Sequence, residues 1–251
     1  DTWNQNTARN SLGMVASGRE AVEVGTTEWG EEIASGYDET SAAMFEPAVL
    51  DPAVDRLAAL AEGGRVLELA VGTGRVALPL RARGLEVAGI ELSQPMVDRL
   101  RAKPGAEAVE VVVGDMTTAR VAGSFALVYL VWNGIMNVTT QDEQVAVFEN
   151  AASHLEPGGR FVVEVVVPQL PDVTGGELGR VFTFERDHVG IDTLDDLVGQ
   201  VSSSHHWMRV DGRWVHHSGP FRYVWPSELD LMARLAGLRL PAGAPVGLHD
   251  H

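Results

Sequence analysis

The chain has no cysteine, a single lysine, no cluster of basic residues and no apolar run of membrane-spanning length. Each absence excludes something. Without thiols there are neither disulfides nor thiolate metal sites. Without a stretch of about 20 apolar residues there is no membrane helix, and nothing reads as a secretory leader. A cytoplasmic protein with no membrane partner is therefore expected. Lys and Arg number 19 against 35 Asp and Glu, a net charge of −16. Nucleic acid is bound by clustered cations that displace counterions, so it is not an expected partner. The 251 residues suffice for one α/β domain carrying an insertion.

What is present centres on Val66-Leu67-Glu68-Leu69-Ala70-Val71-Gly72-Thr73-Gly74-Arg75. It reads as a buried strand, a glycine turn and the start of a helix. Seventeen residues after Gly74, Glu91 closes a second apolar run, Val87-Ala88-Gly89-Ile90. Together these describe a nucleotide pocket. Glycines let the backbone approach the ligand, the helix start offers free N–H groups, and a carboxylate at the next strand tip can accept from a ribose diol. Gly72 to Ala77 also satisfies the dinucleotide pattern G-x-G-x-x-G/A. Glu68 shifts the balance: a carboxylate just before the glycines opposes a pyrophosphate and suits a ligand carrying an ammonium group.

The segment Glu68-Leu69-Ala70-Val71-Gly72-Thr73-Gly74-Arg75 resembles the first motif of class I S-adenosylmethionine-dependent methyltransferases. Gly89-Ile90-Glu91-Leu92-Ser93, with Met96 following, resembles their second-strand acidic motif, and Gly114-Asp115-Met116 their third-strand motif. Leu155 to Glu164, with Pro157-Gly158-Gly159, is similar to the turn into their fifth strand. The order of these four motifs makes the resemblance specific. It extends to small-molecule enzymes of actinomycete type, including amino-sugar N-methyltransferases, where a Tyr-Asp pair precedes the core as Tyr37-Asp38 does here. The resemblance implies S-adenosyl-L-methionine as cofactor. Gly72 and Gly74 then give close backbone approach, with Ala70 and Thr73 in the same turn. Glu68 lies near the methionine ammonium, Glu91 holds the ribose hydroxyls, Asp115 accepts from the adenine amino group, and Met116 and Leu92 flank the ring. Tyr37 closes over the methionine end or is an ordinary lid residue. Arg75 meets the cofactor carboxylate or is merely solvated. Leu130 offers a backbone carbonyl.

The rest of the chain alternates strand and helix, which predicts a Rossmann-like parallel sheet flanked by helices. Strands are expected over 65–70, 86–91, 109–114, 125–131 and 159–167, and helices over 75–83, 94–102 and 142–155. Ser93 caps one helix, and Thr140 or Asp142 another. The expected division is an N-terminal arm and lid over 1–62, a cofactor-binding core over 63–168, an antiparallel insertion covering the substrate site over 169–225, and a C-terminal helix and tail over 226–251. Within the insertion, 172–177 reads as a glycine-rich loop and Asp211-Gly212 as a hairpin turn joining 202–210 to 213–224. Leu238-Arg239-Leu240 is the one candidate for a final strand, so the strand pair that normally ends this family's sheet is expected to be incomplete.

A methyl acceptor that is an amine needs only to arrive deprotonated, whereas a hydroxyl benefits from a general base. Trp132 and Asn137, just past the fourth strand, and Glu164 and Tyr223 are candidate substrate contacts. His206 and His217 are the candidate bases. Strand alternation puts one of His205-His206 and one of His216-His217 on each face. No third ligand has suitable spacing, so no metal site is expected. The leading expectation is a methyltransferase acting on an O or N atom of a small molecule, possible as a homodimer. An NAD-dependent oxidoreductase is the alternative, disfavoured by Glu68, by Gly114-Asp115-Met116 and by the absence of a Tyr-x-x-x-Lys pair. A cofactor-binding module without turnover is a third.

Overall fold

A computed structural model describes residues 30–170, 179–210 and 212–240. The predicted loop over 172–177 and the hairpin residue Asp211 lie outside the described residues.

The core is a five-stranded sheet in the order β3-β2-β1-β4-β5, every pair parallel. Its strands are β1 (Val66–Leu69), β2 (Val87–Glu91), β3 (Glu110–Val113), β4 (Phe125–Leu130) and β5 (Leu155–Val163). Parallel sheets are covered on both faces, and β1 shows how. Leu67 and Leu69 join a cluster with Val147, Phe148 and Ala151 of α5 (Gln141–His154) and with Met232 and Ala233 of α6 (Pro226–Leu235). Val66, of opposite parity, joins Leu50, Val54 and Leu57 of α2 (Pro47–Ala61) and Leu80 of α3 (Ala77–Ala82). Glu68 shares that second face and lies beside its register partner Tyr129.

Two of the helices start at side-chain caps. The Ser93 hydroxyl accepts from Met96 N at the start of α4 (Gln94–Arg101). Thr140 and Glu143 form a reciprocal capping box on α5, so Thr140 is the cap and Asp142 lies in the first turn. β5 departs from expectation: it begins at Leu155, directly after α5, and ends at Val163. A register irregularity between Phe125 and Leu127 on β4 takes up the offset.

Beyond β5 lies a second, antiparallel sheet in the order β6-β7-β8-β9: Gly179–Phe184, His188–Asp196, Val201–Val210 and Arg213–Arg222. The β8–β9 hairpin is the predicted one, with its register unbroken from Val201↔Arg222 to Val210↔Arg213. β6 and β7 were not expected. After α6, Leu238–Leu240 forms no strand, a correction to the expectation. Among the described residues the main sheet therefore has five strands. Among the described residues, too, no helix is long and apolar enough to cross a membrane.

Two helical pieces precede the core. α1 (Glu31–Thr40) packs on α4, and the turn Ala42–Phe45 leads into α2.

Candidate active site

The strand order reverses at β1, which pairs with β2 on one side and β4 on the other. Ligands of open α/β sheets bind at such a switch point, outside the strand carboxyl ends. Here that point lies between the turn after β1 and the turn after β4.

The first turn takes three residues through the left-handed region: Ala70 at φ 55°, Gly72 at 55° and Gly74 at 83°. A Cβ on Gly72 would meet nothing within 4 Å, so its backbone faces open space. A Cβ on Gly89, by contrast, would stand 2.7 Å from the Val71 side chain. Only glycine on β2 lets the turn lie this close to the strand. Glu91, 6% exposed, accepts from Gly72 N at 2.8 Å and from Ser93 N at 2.9 Å. The two bonds fix its carboxylate between the first turn and the end of β2. Burial pushes its pKa up, and the N–H groups of Ser93, Gly72 and Leu92 pull it back. Asp115, after β3, accepts from Thr117 N and Thr117 Oγ1 through Oδ1, both at 2.8 Å. Met96 and Met116 are buried and Leu92 half-buried nearby in the chain.

Tyr37 on α1 reaches the same region. Burial raises its phenol, with Arg75, Asp38 and Glu91 all close enough to act on it. The Arg75 guanidinium lies over the Trp132 ring at 5.3 Å, joining the first turn to the second. That second turn is strained: Trp132 and Asn133 have φ of 55° and 57°. Glu164 holds it in place. Its Oε2 accepts from Trp132 N at 2.9 Å and its carbonyl from Asn133 N at 3.2 Å. Trp132 stays 43% exposed, and Asn137 ends the helical turn Gly134–Asn137.

Glu68 and Tyr223 sit differently from their sequence reading, and Thr73 and Leu130 already have partners within the chain. Glu68 is not an exposed anion at the turn. It is 4% exposed, accepts from Tyr129 OH at 2.8 Å, and burial raises its pKa to about 8. Burial thus favours its neutral form at neutral pH. The Thr73 hydroxyl is committed to Asp38 Oδ1 at 2.6 Å. The Leu130 carbonyl already accepts from Glu164 N at 2.9 Å. Tyr223, 3% exposed, packs in the core with its hydroxyl on the Leu197 carbonyl. Tyr129, Asp38 and Lys103 were not expected here. The only signals were the Tyr37-Asp38 pair and the isolation of Lys103 in the composition.

The antiparallel sheet presents two unlike faces. His205, Trp207 and His216 stack on one, with ring centroids 4.5–5.9 Å apart. His206 and its register partner His217 share the other with Ser204, Leu194 and Phe221. That face turns inward: along β9, Val215, His217, Gly219 and Phe221 are half-buried while Trp214, His216 and Ser218 are exposed. Leu194 and Phe221 root it on the core cluster that holds Ile135 and Met136. His206 Nδ1 is 3.0 Å from His188 Nε2, and its Nε2 is 3.2 Å from Ser204 Oγ. Burial, then the nearby His188, His217 and His205, lower its pKa. Among the described residues no group of three or more His, Asp or Glu is placed to hold a metal ion.

The fold and the acidic, glycine-lined switch point define an open α/β protein built around a nucleoside cofactor. A family profile described as a methyltransferase domain matches residues 66–159. The solved structure of the CcbJ methyltransferase from Streptomyces caelestis is 33% identical, covers 85% of this chain and 88% of its own, and superposes with a TM-score of 0.68. The cypemycin N-terminal methyltransferase of a Streptomyces species is 29% identical over 217 residues, 82% of this chain and 88% of that protein. The amino pentose methyltransferase CalS10 of Micromonospora echinaspora, solved with S-adenosylmethionine, shares the fold at 24% identity and a TM-score of 0.60 over 75% of this chain and 81% of its own. The chain belongs to the class I S-adenosylmethionine-dependent methyltransferases. It is an enzyme whose cofactor is S-adenosylmethionine.

Proposed function

We propose that the acceptor is a small molecule presenting an amine or a hydroxyl, received between the ends of β4 and β5 and the inner face of the antiparallel sheet. The observation that carries this reading is that inner face: it is rooted beside Ile135 and Met136, just past β4, and His206, His217 and Ser204 extend from that root. The name of the cypemycin relative, an N-terminal methyltransferase, favours nitrogen.

The cofactor supplies an electrophilic methyl group, and the chain's part is alignment. Glu91 is assigned to the ribose hydroxyls, since its two backbone bonds orient the carboxylate and leave lone pairs free. Asp115 Oδ2 is assigned to the adenine amino group, with Leu92, Met96 and Met116 around the ring. Gly72 and Gly74 give backbone approach, and Tyr37 and Arg75 stand at the methionine end. Trp132, Asn137 and Glu164 position the acceptor. His206, kept neutral by burial, is assigned to take the acceptor's proton at Nε2 in place of its contact with Ser204, with His217 facing it across the ladder.

The test is methylation of a panel of small amines and alcohols, read by mass spectrometry, with His206→Gln alongside. Methyl transfer is expected, with the variant slower by about a hundredfold. The acid limb of kcat should lie below the usual imidazole value near 6.5, because a lowered pKa keeps His206 unprotonated to lower pH. A variant with unchanged rate and limb would remove His206 from the proton path.

A further inference from the structure

The lone lysine closes a three-point clasp between the lid helix and the cofactor turn. Lys103 Nζ lies 2.5 Å from Asp38 Oδ2 on α1 and donates to the Thr73 carbonyl at 2.8 Å. The Thr73 hydroxyl donates to Asp38 Oδ1 at 2.6 Å. Each partner thus contacts the other two. Thr73 is 1% exposed, and the Lys103 and Asp38 side chains are 25% and 35% exposed. Phe45 lies 5.3 Å beneath the ammonium, and Arg99 adds a strut from α4 to the Ser35 carbonyl at 2.6 Å.

The sequence makes α1 depend on such ties. It is ten residues long, carries Gly36 in its interior and has no side-chain N-cap. An isolated helix of that length is marginal in water. Its docked position therefore follows from tertiary contacts, and among the described residues the clasp supplies its ion pair. The clasp reaches both sides of the site. Asp38 adjoins Tyr37, which faces Arg75 and Glu91. Thr73 adjoins Gly72, whose N–H orients the Glu91 carboxylate.

We propose that Asp38 and Lys103 are positioning residues for cofactor binding: through Thr73 they hold α1 on the glycine turn and slow escape of the cofactor. This rests on the cofactor cradle and not on the acceptor proposed above, so either can fail alone. The experiment uses the full chain and S-adenosylhomocysteine, with dissociation constants from calorimetry and off-rates from stopped flow. Asp38→Asn and Lys103→Met should each weaken binding by about tenfold or more, mostly through the off-rate. The double variant should lose little beyond the worse single, because both act in one device. Thr73→Val should lose a similar factor and Thr73→Ser recover it. KM for S-adenosylmethionine should rise far more than kcat falls. In the unliganded protein, α1 amides of Asp38→Asn should exchange faster while core strands keep their protection. Binding within twofold of wild type in both single variants, or losses that multiply in the double variant, would overturn the proposal. So would a loss accompanied by equal deprotection of the core, which marks general destabilisation.

Discussion

At the scale of single residues, Glu68 shows how far a side chain's partner can redefine it. Its position before the glycines suggested an anion facing the ligand. Its strand parity points it instead at Tyr129, inside the helix-covered face. The sequence identifies the residue but not its charge state, which depends on burial and on a partner 61 residues away. The consequence is measurable. Below pH about 4.5 both folded and unfolded chains keep the proton, so Glu68 costs nothing. Between there and about 8 the unfolded chain releases a proton that the folded one retains. Stability from this group is thus lost as pH rises through the folded value. Glu68→Gln, neutral throughout, should flatten the curve, so the melting temperature of the variant minus wild type grows from pH 5 to 8.5. A difference constant with pH would mean that Glu68 is ionised in the folded protein.

At the scale of elements, β1 to β4 were legible because each is a short apolar run bounded by turn residues, and β2 and β4 lead into helices capped by Ser93 and Thr140. β6 and β7 were not. Gly179–Phe184 and His188–Asp196 cover one face with mixed residues, and β7 ends in acids, so neither shows clean alternation. β7 is a strand because β8 supplies its partner ladder, and β6 pairs in turn with β7. A buried polar network seats that sheet on the core. Arg222 Nη2 donates to Glu228 Oε1 at 2.7 Å and to Gln200 Oε1 at 2.9 Å, and Nη1 to Gln144 Oε1. Gln144 Nε2 in turn reaches the carbonyls of Ile135, Val138 and Arg222. Burial raises the Glu228 pKa, but hydrogen bonds from Gln200, Arg222 and Gln141 outweigh it and leave the carboxyl lowered and charged. Removing one partner of such a pair strands the other, so Glu228→Ala should cost about 3–5 kcal/mol in urea unfolding. Replacing both, as Arg222→Met with Glu228→Leu, should restore most of it. A loss under about 1 kcal/mol for Glu228→Ala would place the pair among surface bridges.

At the scale of the whole molecule, the proposed cofactor cradle joins α1 to the ends of β1, β2 and β3, so ligand binding there should stabilise the fold as a unit. At a hundredfold excess over Kd the linkage is about 2.7 kcal/mol. For a domain of this size, S-adenosylhomocysteine should therefore raise the melting temperature by about 5–10 °C. Glu91→Ala should abolish the shift. No shift in wild type would count against the assigned cradle. Local pattern by itself determined the alternating α/β architecture, the glycine turn, the acids at the ends of β2 and β3, and the β8–β9 hairpin, because strand and helix periods, caps and turn residues act over a few neighbours. Tertiary structure alone decided that Glu68 is spent on Tyr129, that Tyr223 belongs to the core, that His206 turns inward while His205 and His216 stack outward, and that the only lysine ties α1 to the glycine turn. Those contacts join residues tens of positions apart, and their energies depend on burial and orientation that exist only once the chain has folded.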